Sequence, residues 1–149
     1  MDVKKIAVIG AGAMGNGIAQ VGLMAGYTVA MHDVEQRFVD RGVSTIKDSL
    51  AKFMGKGKIT AEQNDDMLKR LLPTTDLKAA VRDADLVIEA VFEDLDLKKK
   101  IFADLDAAAP ERTILASNTS SMSITEIASA TKRPCKVVGM HFFNPAVML

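Results

Sequence analysis

Apolar positions along the chain fall into two alternating patterns. Short unbroken runs, Ile6-Ala7-Val8-Ile9, Thr28-Val29-Ala30-Met31-His32, Leu86-Val87-Ile88, Thr113-Ile114-Leu115-Ala116 and Lys136-Val137-Val138-Gly139-Met140, predict five strands of the kind buried on both faces. Between them lie longer stretches with helical spacing. One runs from the glycines after Ile9 to about Gly26, and a second from about Glu35 to Met54. A third opens on Thr60-Ala61-Glu62-Gln63, a capping-box signature, and ends before Pro73. Helices from about Asp94 to Ala109, stopped by Pro110, and from a second capping box at Ser123-Ile124-Thr125-Glu126 complete the set. Strands alternating with helices predict an α/β fold, a parallel sheet covered on both faces. Lys56-Gly57-Lys58 separates the second and third helices, which are therefore expected as an antiparallel pair projecting from the sheet.

The first strand runs directly into Gly10-Ala11-Gly12-Ala13-Met14-Gly15 and then into a helix. That order suits a dinucleotide pyrophosphate. Gly10 permits the tight turn, Gly12 leaves no side chain between backbone and phosphate, and Gly15 lets helix and strand pack closely, while the helix N-terminus offers free N–H donors. The second strand ends in Asp33, close to the spacing of about 20 residues expected for a ribose-binding acid. An acid there accepts hydrogen bonds from the ribose hydroxyls and repels a 2′-phosphate, which favours NAD over NADP. The fold class is therefore a Rossmann-type doubly wound parallel sheet.

Composition narrows the picture without redirecting it. With 149 residues, 48% hydrophobic and 26% charged, the chain fits one domain with a real core. Lys plus Arg balances Asp plus Glu at 19 each, so no global basic field points to nucleic acid. The single cysteine, Cys135, forms no internal disulfide; it fits a reducing compartment and is expected to pack against a strand. The N-terminal apolar run is broken by glycines and matches neither a signal peptide nor a membrane helix, so a cytoplasmic protein is expected.

In open parallel sheets ligands bind beyond the carboxyl ends of the strands, and three clusters fall there. After the third strand stands Glu89-Ala90-Val91, where Glu89 is either a holder of the nicotinamide half or a solvated loop carboxylate. Asp94, opening the next helix, is grouped with Glu89 among the candidate cofactor-binding residues. After the fourth strand comes Ser117-Asn118-Thr119-Ser120-Ser121, readable as a helix cap and turn or as catalytic hydroxyls. After the fifth comes His141-Phe142-Phe143-Asn144-Pro145. Only His32 and His141 are present, and His141 lies where the reacting end of a bound cofactor belongs, a suitable place for a side chain that takes and returns a proton near neutrality. His32 is read as structural. Two histidines and one cysteine, widely separated, offer no transition-metal site.

Together, the glycine motif Gly10–Gly15, the segment Ser117–Ser121 and the segment His141–Pro145, in this order and spacing, closely resemble the NAD-binding part of the L-3-hydroxyacyl-CoA dehydrogenases, the 3-hydroxybutyryl-CoA enzymes of bacteria among them. The likeness covers essentially the whole chain. The glycine motif is shared by many dehydrogenases, whereas the other two segments together are highly specific. The resemblance implies NAD as cofactor, an acyl-CoA substrate, and a two-domain enzyme whose second, mostly helical domain forms the homodimer and closes the active site. On this reading residues 1–149 are the NAD-binding domain, and the apolar tail Pro145-Ala146-Val147-Met148-Leu149, expected to be exposed, suggests a chain cut before that second domain.

The resemblance also implies roles. His141 would be the general base that removes the 3-hydroxyl proton as hydride passes from C3 to the nicotinamide; Ser120 would hydrogen-bond the substrate oxygen, and Asn144 would help hold cofactor and substrate. The family pairs this histidine with a glutamate farther downstream than Leu149, so the catalytic set is expected to be incomplete. Val147 stands where many members have proline, with no loss of side-chain chemistry. Lys47, Ser49, Lys52, Lys56 and Lys58 read by themselves as a solvated face. Under the resemblance, Ser49 and Lys56 match positions that contact the nucleotide part of coenzyme A. Two rival readings stand beside this one, an NAD-binding module without catalysis and a dehydrogenase of free hydroxy acids. A hydrolytic Ser120–His141 pair is set aside for want of a G-x-S-x-G elbow.

Overall fold

In the computed structural model, which describes residues 2–148, the unbroken apolar runs form the centre of a parallel sheet. Strands β1 (Lys5–Ile9), β2 (Thr28–His32), β3 (Leu71–Thr74), β4 (Leu86–Glu89), β5 (Ile114–Ser117) and β6 (Val137–Gly139) lie in the order β3-β2-β1-β4-β5-β6. All five pairings are parallel, with Val8 opposite Met31 on one side and Ile88 on the other. Successive strand residues point to opposite faces, so each face acquires its own core. Ile6 and Val8 join Leu23, Met31, Ile46 and Leu50 on one face, while Ala7 and Ile9 join Val87, Phe102, Leu105 and Leu115 on the other.

The helices α1 (Ala13–Met24), α2 (Gln36–Gly55), α3 (Ala61–Lys69), α4 (Leu77–Val81), α5 (Leu95–Ala108) and α6 (Ile124–Ala128) cover the two faces. The expected capping box opens α3: Thr60 Oγ1 accepts from Gln63 N–H at 3.1 Å, and Gln63 Oε1 accepts from Thr60 N–H at 2.8 Å. The α2–α3 pair is anchored by Val39, Ile46, Leu50 and Met67, all buried, while Lys56, Gly57 and Lys58 at its tip are exposed.

Three expectations need correction. Among the described residues the sheet has six strands, not five: the third predicted helix ends at Lys69, and Leu71–Thr74 pairs with β2 as an edge strand. Pro73 argues against a strand in sequence, yet an edge is where a missing N–H is tolerated. Cys135 does not pack against a strand; it is exposed in a 3-10 turn at Pro134–Lys136, which also shortens the last strand to Val137–Gly139. The apolar tail is only partly open, because Ala146 is buried and its Cβ lies against Gly17 of α1. Leu149 lies outside the described residues.

Strand order reverses at β1, whose neighbours are β2 on one side and β4 on the other. A crevice at the carboxyl ends of β1 and β4 follows from that topology.

Candidate nucleotide and catalytic cleft

The glycine loop begins where β1 ends. Gly10 has a φ of 106°, a conformation closed to most L-residues, and a Cβ there would stand 2.6 Å from the carbonyl oxygen of Ala90. A Cβ at Gly15 would come within 1.8 Å of Gly10 O, so the first turn of α1 rests directly on the loop. Gly12 differs from both: its Cβ would meet no atom within 4 Å. The fold requires glycine at 10 and 15, but nothing in the protein requires it at 12. The space is left clear above the N-terminus of α1, where Gly12 supplies no side-chain cap to the first N–H groups. That cradle fits a pyrophosphate.

Asp33 stands beside it, half-buried. Its Oδ2 accepts from Ala11 N–H at 2.9 Å and its Oδ1 from Val34 N–H at 2.7 Å, so the acid fixes the glycine loop to the end of β2. His32, buried just before it, has a pKa lowered by burial, against the opposing charge of Asp33. Among the described residues its Nδ1 has no hydrogen-bond partner.

At the carboxyl ends of β4, β5 and β6 opens a cleft of about 400 Å³. Met14 in the first turn of α1, Ser120, His141 and Asn144 line it together, although they are spread over most of the chain. Two links hold its rim: Asn118 Oδ1 accepts from Phe142 N–H at 2.7 Å, and Ser117 O accepts from Met140 N–H at 2.8 Å. The His141 ring is exposed and tilts 60° against Phe143, with centroids 5.1 Å apart.

The hydroxyl cluster after β5 divides. Ser117 and Thr119 are buried and structural: Ser117 Oγ donates to Glu89 Oε2 at 2.6 Å, and Thr119 Oγ1 donates to Glu93 Oε2 at 2.5 Å while accepting from Met122 N–H. Ser120, between them and Ser121, is exposed on the cleft. The turn reading thus describes Ser117 and Thr119, the helix cap falls instead to Ser123, and Ser120 is the hydroxyl left facing the cleft.

Glu89 is neither solvated nor directed into the cleft. It is fully buried, with Oε1 accepting from Lys98 Nζ at 2.6 Å and from Val91 N–H at 2.7 Å, so its carboxylate is committed to its own chain. Asp94 likewise faces its own helix, capping α5 by accepting from Leu97 N–H at 2.9 Å. Ala90, Val91, Phe92 and Glu93 of this loop line the cleft, joined by Lys98 of α5; Glu93 and Lys98 are not among the residues expected from sequence. Burial alone would raise the Glu93 pKa; hydrogen bonds from Thr119 and Lys98 and the charges of Lys98 and His141 outweigh it and hold the carboxyl below its ordinary range. One signal for Lys98 was present in the sequence. It falls on the apolar stripe of α5 with Phe102 and Leu105, where a solvated lysine has no place. Ser49, half-buried, and Lys56, exposed, lie on the helix pair and do not line the cleft.

Among the described residues no group of His, Cys, Asp and Glu is arranged to hold a metal ion, and no helix is long and apolar enough to cross a membrane.

Comparison with known proteins agrees with this geometry. Residues 5–149 match the family model described as "3-hydroxyacyl-CoA dehydrogenase, NAD binding domain". The chain is 45% identical over 149 residues to a 3-hydroxyadipyl-CoA dehydrogenase of Escherichia coli, covering all of this chain and 31% of that protein. It is 46% identical over 145 residues to a 3-hydroxybutyryl-CoA dehydrogenase of Clostridioides difficile, covering 97% of this chain and 51% of that one. Among solved structures, an (S)-3-hydroxybutyryl-CoA dehydrogenase of Ralstonia eutropha superposes with a TM-score of 0.96 at 40% identity, covering 99% of this chain and 52% of the other. The chain thus spans between about a third and about half of the length of these relatives.

Proposed function

Because the chain belongs to the 3-hydroxyacyl-CoA dehydrogenase family through its NAD-binding domain, we propose that it serves the interconversion of (S)-3-hydroxyacyl-CoA and 3-oxoacyl-CoA, with 3-hydroxybutyryl-CoA as the short-chain candidate. The convergence of Ser120 and His141 on one cleft beside the glycine loop carries this reading. The N-terminus of α1 and the open space over Gly12 receive the pyrophosphate, and Asp33 the adenosine ribose. NAD, when bound, supplies the acceptor for the hydride that leaves C3 of the substrate.

The chain's own residues handle the proton and the oxygen. Exposed on the cleft, His141 takes the 3-hydroxyl proton during oxidation and returns it during reduction. Ser120 donates to the substrate oxygen, and Asn144, on the same wall, helps to orient cofactor and substrate. Glu93 and Lys98 replace Glu89 and Asp94 as the residues facing the nicotinamide end. The resemblance pairs His141 with a glutamate at a position these 149 residues do not include, and places much of the acyl pocket and the dimer contacts in a second, helical domain. In this reading the chain alone binds NAD without full turnover.

His141→Gln, made in a protein carrying the whole catalytic set, should lower NADH-dependent reduction of acetoacetyl-CoA about 1000-fold and leave NADH affinity within about twofold. A variant that keeps its rate would remove His141 from the mechanism. Ser49 and Lys56 are proposed to contact the nucleotide end of coenzyme A, where a lysine acts on phosphate as a point charge. Lys56→Ala should raise KM for acetoacetyl-CoA severalfold and spare a short thioester without the nucleotide; an equal effect on both counts against that contact.

A further inference from the structure

Glu89, Glu93 and Lys98 carry charge that proton transfer to His141 does not use. Lys98 Nζ lies 2.6 Å from Glu89 Oε1 and 3.2 Å from Glu93 Oε1. Two carboxylates on one ammonium leave a single negative charge in excess. Water screens the Lys98–Glu89 pair poorly, since those side chains are 1% and 0% exposed, and reaches the cluster through Glu93, which is 48% exposed. Nor can Glu89 swing away, for Val91 N–H and Ser117 Oγ hold it at 2.7 and 2.6 Å. Lys98 and Glu93 line the cleft with Ser120 and His141, so the excess charge stands in its wall. A fixed charge in a poorly solvated wall acts over several ångströms.

We infer that this cluster sets the relative affinity of the cleft for the two redox states of the nicotinamide ring, favouring the oxidised ring, a cation, over the reduced ring, which is neutral. The inference rests on the placement of the nicotinamide in the cleft proposed above. Other charges nearby leave the sign intact. Asp94 adds a further carboxylate at the start of α5, and the partial positive charge of that helix end is offset by Asp94 itself, which caps Leu97 N–H. His141 is common to every variant below, and its contribution cancels in the comparison between them.

The test is calorimetric titration of the chain with NAD⁺, NADH and ADP-ribose. Glu89→Gln keeps the shape and an acceptor for Val91 N–H while removing the charge. It should raise the ratio Kd(NAD⁺)/Kd(NADH) about fivefold and leave ADP-ribose affinity unchanged. Glu93→Gln lies on a side chain 48% exposed, which makes it the safer variant for folding, and should move the ratio in the same direction by about threefold. Ser117→Ala removes a hydrogen bond to Glu89 without changing charge, and should leave the ratio at the wild-type value. Equal weakening of NAD⁺ and NADH in both glutamine variants, or a matching loss of ADP-ribose affinity, would make the cluster purely structural and overturn the inference. Failure of the underlying placement has a different signature: the wild-type chain would bind ADP-ribose as tightly as NADH, which overturns both.

Discussion

Strand β4 has a buried carboxylate at each end, and the two do different things. At the amino end Asp85 accepts from the N–H groups of Lys4 and Lys5 at 2.9 and 3.1 Å and from Arg112 Nε at 3.2 Å, tying β4 to β1 and to the approach to β5. At the carboxyl end Glu89 accepts from Val91 N–H, Ser117 Oγ and Lys98 Nζ, tying β4 to β5 and to α5. The bonding plan is the same, three donors per carboxylate drawn from neighbouring elements. The cations differ. Arg112 is 55% exposed, whereas Lys98 is 1% exposed and borders the cleft. A carboxylate at the closed end of a parallel sheet only fastens strands; at the open end, where the loops part, the same device also gives a ligand site its charge.

Removing the cation from the buried end should break this parallel most severely. Lys98→Met leaves Glu89 without its ammonium in a dry interior and should cost about 3–5 kcal/mol, read from the urea midpoint at unchanged m-value. A loss no larger than that of an exposed lysine would mean that water reaches Glu89 after all. Asp85→Asn should cost less, about 1–3 kcal/mol, and leave NADH affinity unaltered. Its pH signature is specific. Hydrogen bonds from Lys4 and Lys5 foremost, then Arg112, hold the Asp85 carboxyl below its ordinary value of 3.8 against the effect of burial. The unfolded chain therefore binds the extra proton: the stability that Asp85 contributes is complete above that ordinary value and lost as pH falls through the depressed one. Urea titrations between pH 2 and 5 should show a shallower decline for Asp85→Asn than for the wild type, and coincident slopes would deny Asp85 the role.

The amino-acid order discloses local features of the sheet better than those set by remote partners, for a physical reason. Runs such as Ile6–Ile9 are buried on both faces and leave no other assignment, and the glycine spacing answers to close backbone approaches at Gly10 and Gly15. Ser120, His141 and Asn144 are legible as cleft-lining residues because they fall in the loops that leave the carboxyl ends of β5 and β6, where topology delivers side chains to the cleft. What stayed hidden depends on partners remote in the chain. Glu89 is identical, as a residue type after a strand, to a ribose ligand; only Ser117, 28 positions away, and Lys98 show that its oxygens are taken. Strand β3 was masked by Pro73, since whether a strand lies at an edge is a property of the sheet and not of the segment.

The smallest effects sharpen the comparison most, because they remove one donor from each carboxylate and leave its charge alone. Arg112→Ala takes a half-exposed guanidinium from Asp85, which keeps both backbone N–H bonds and gains water at the vacated oxygen; the cost should be below about 0.5 kcal/mol. Ser117→Ala takes a hydroxyl from Glu89 Oε2, which is fully buried, and should cost about 1–2 kcal/mol although a neutral donor is ordinarily the weaker partner. Burial, not the charge of the donor, then decides the order. Equal values from paired urea melts would mean that the two ends of β4 are equally wet, and the dry wall that lets the Glu89 cluster act on the cleft would be lost with the difference.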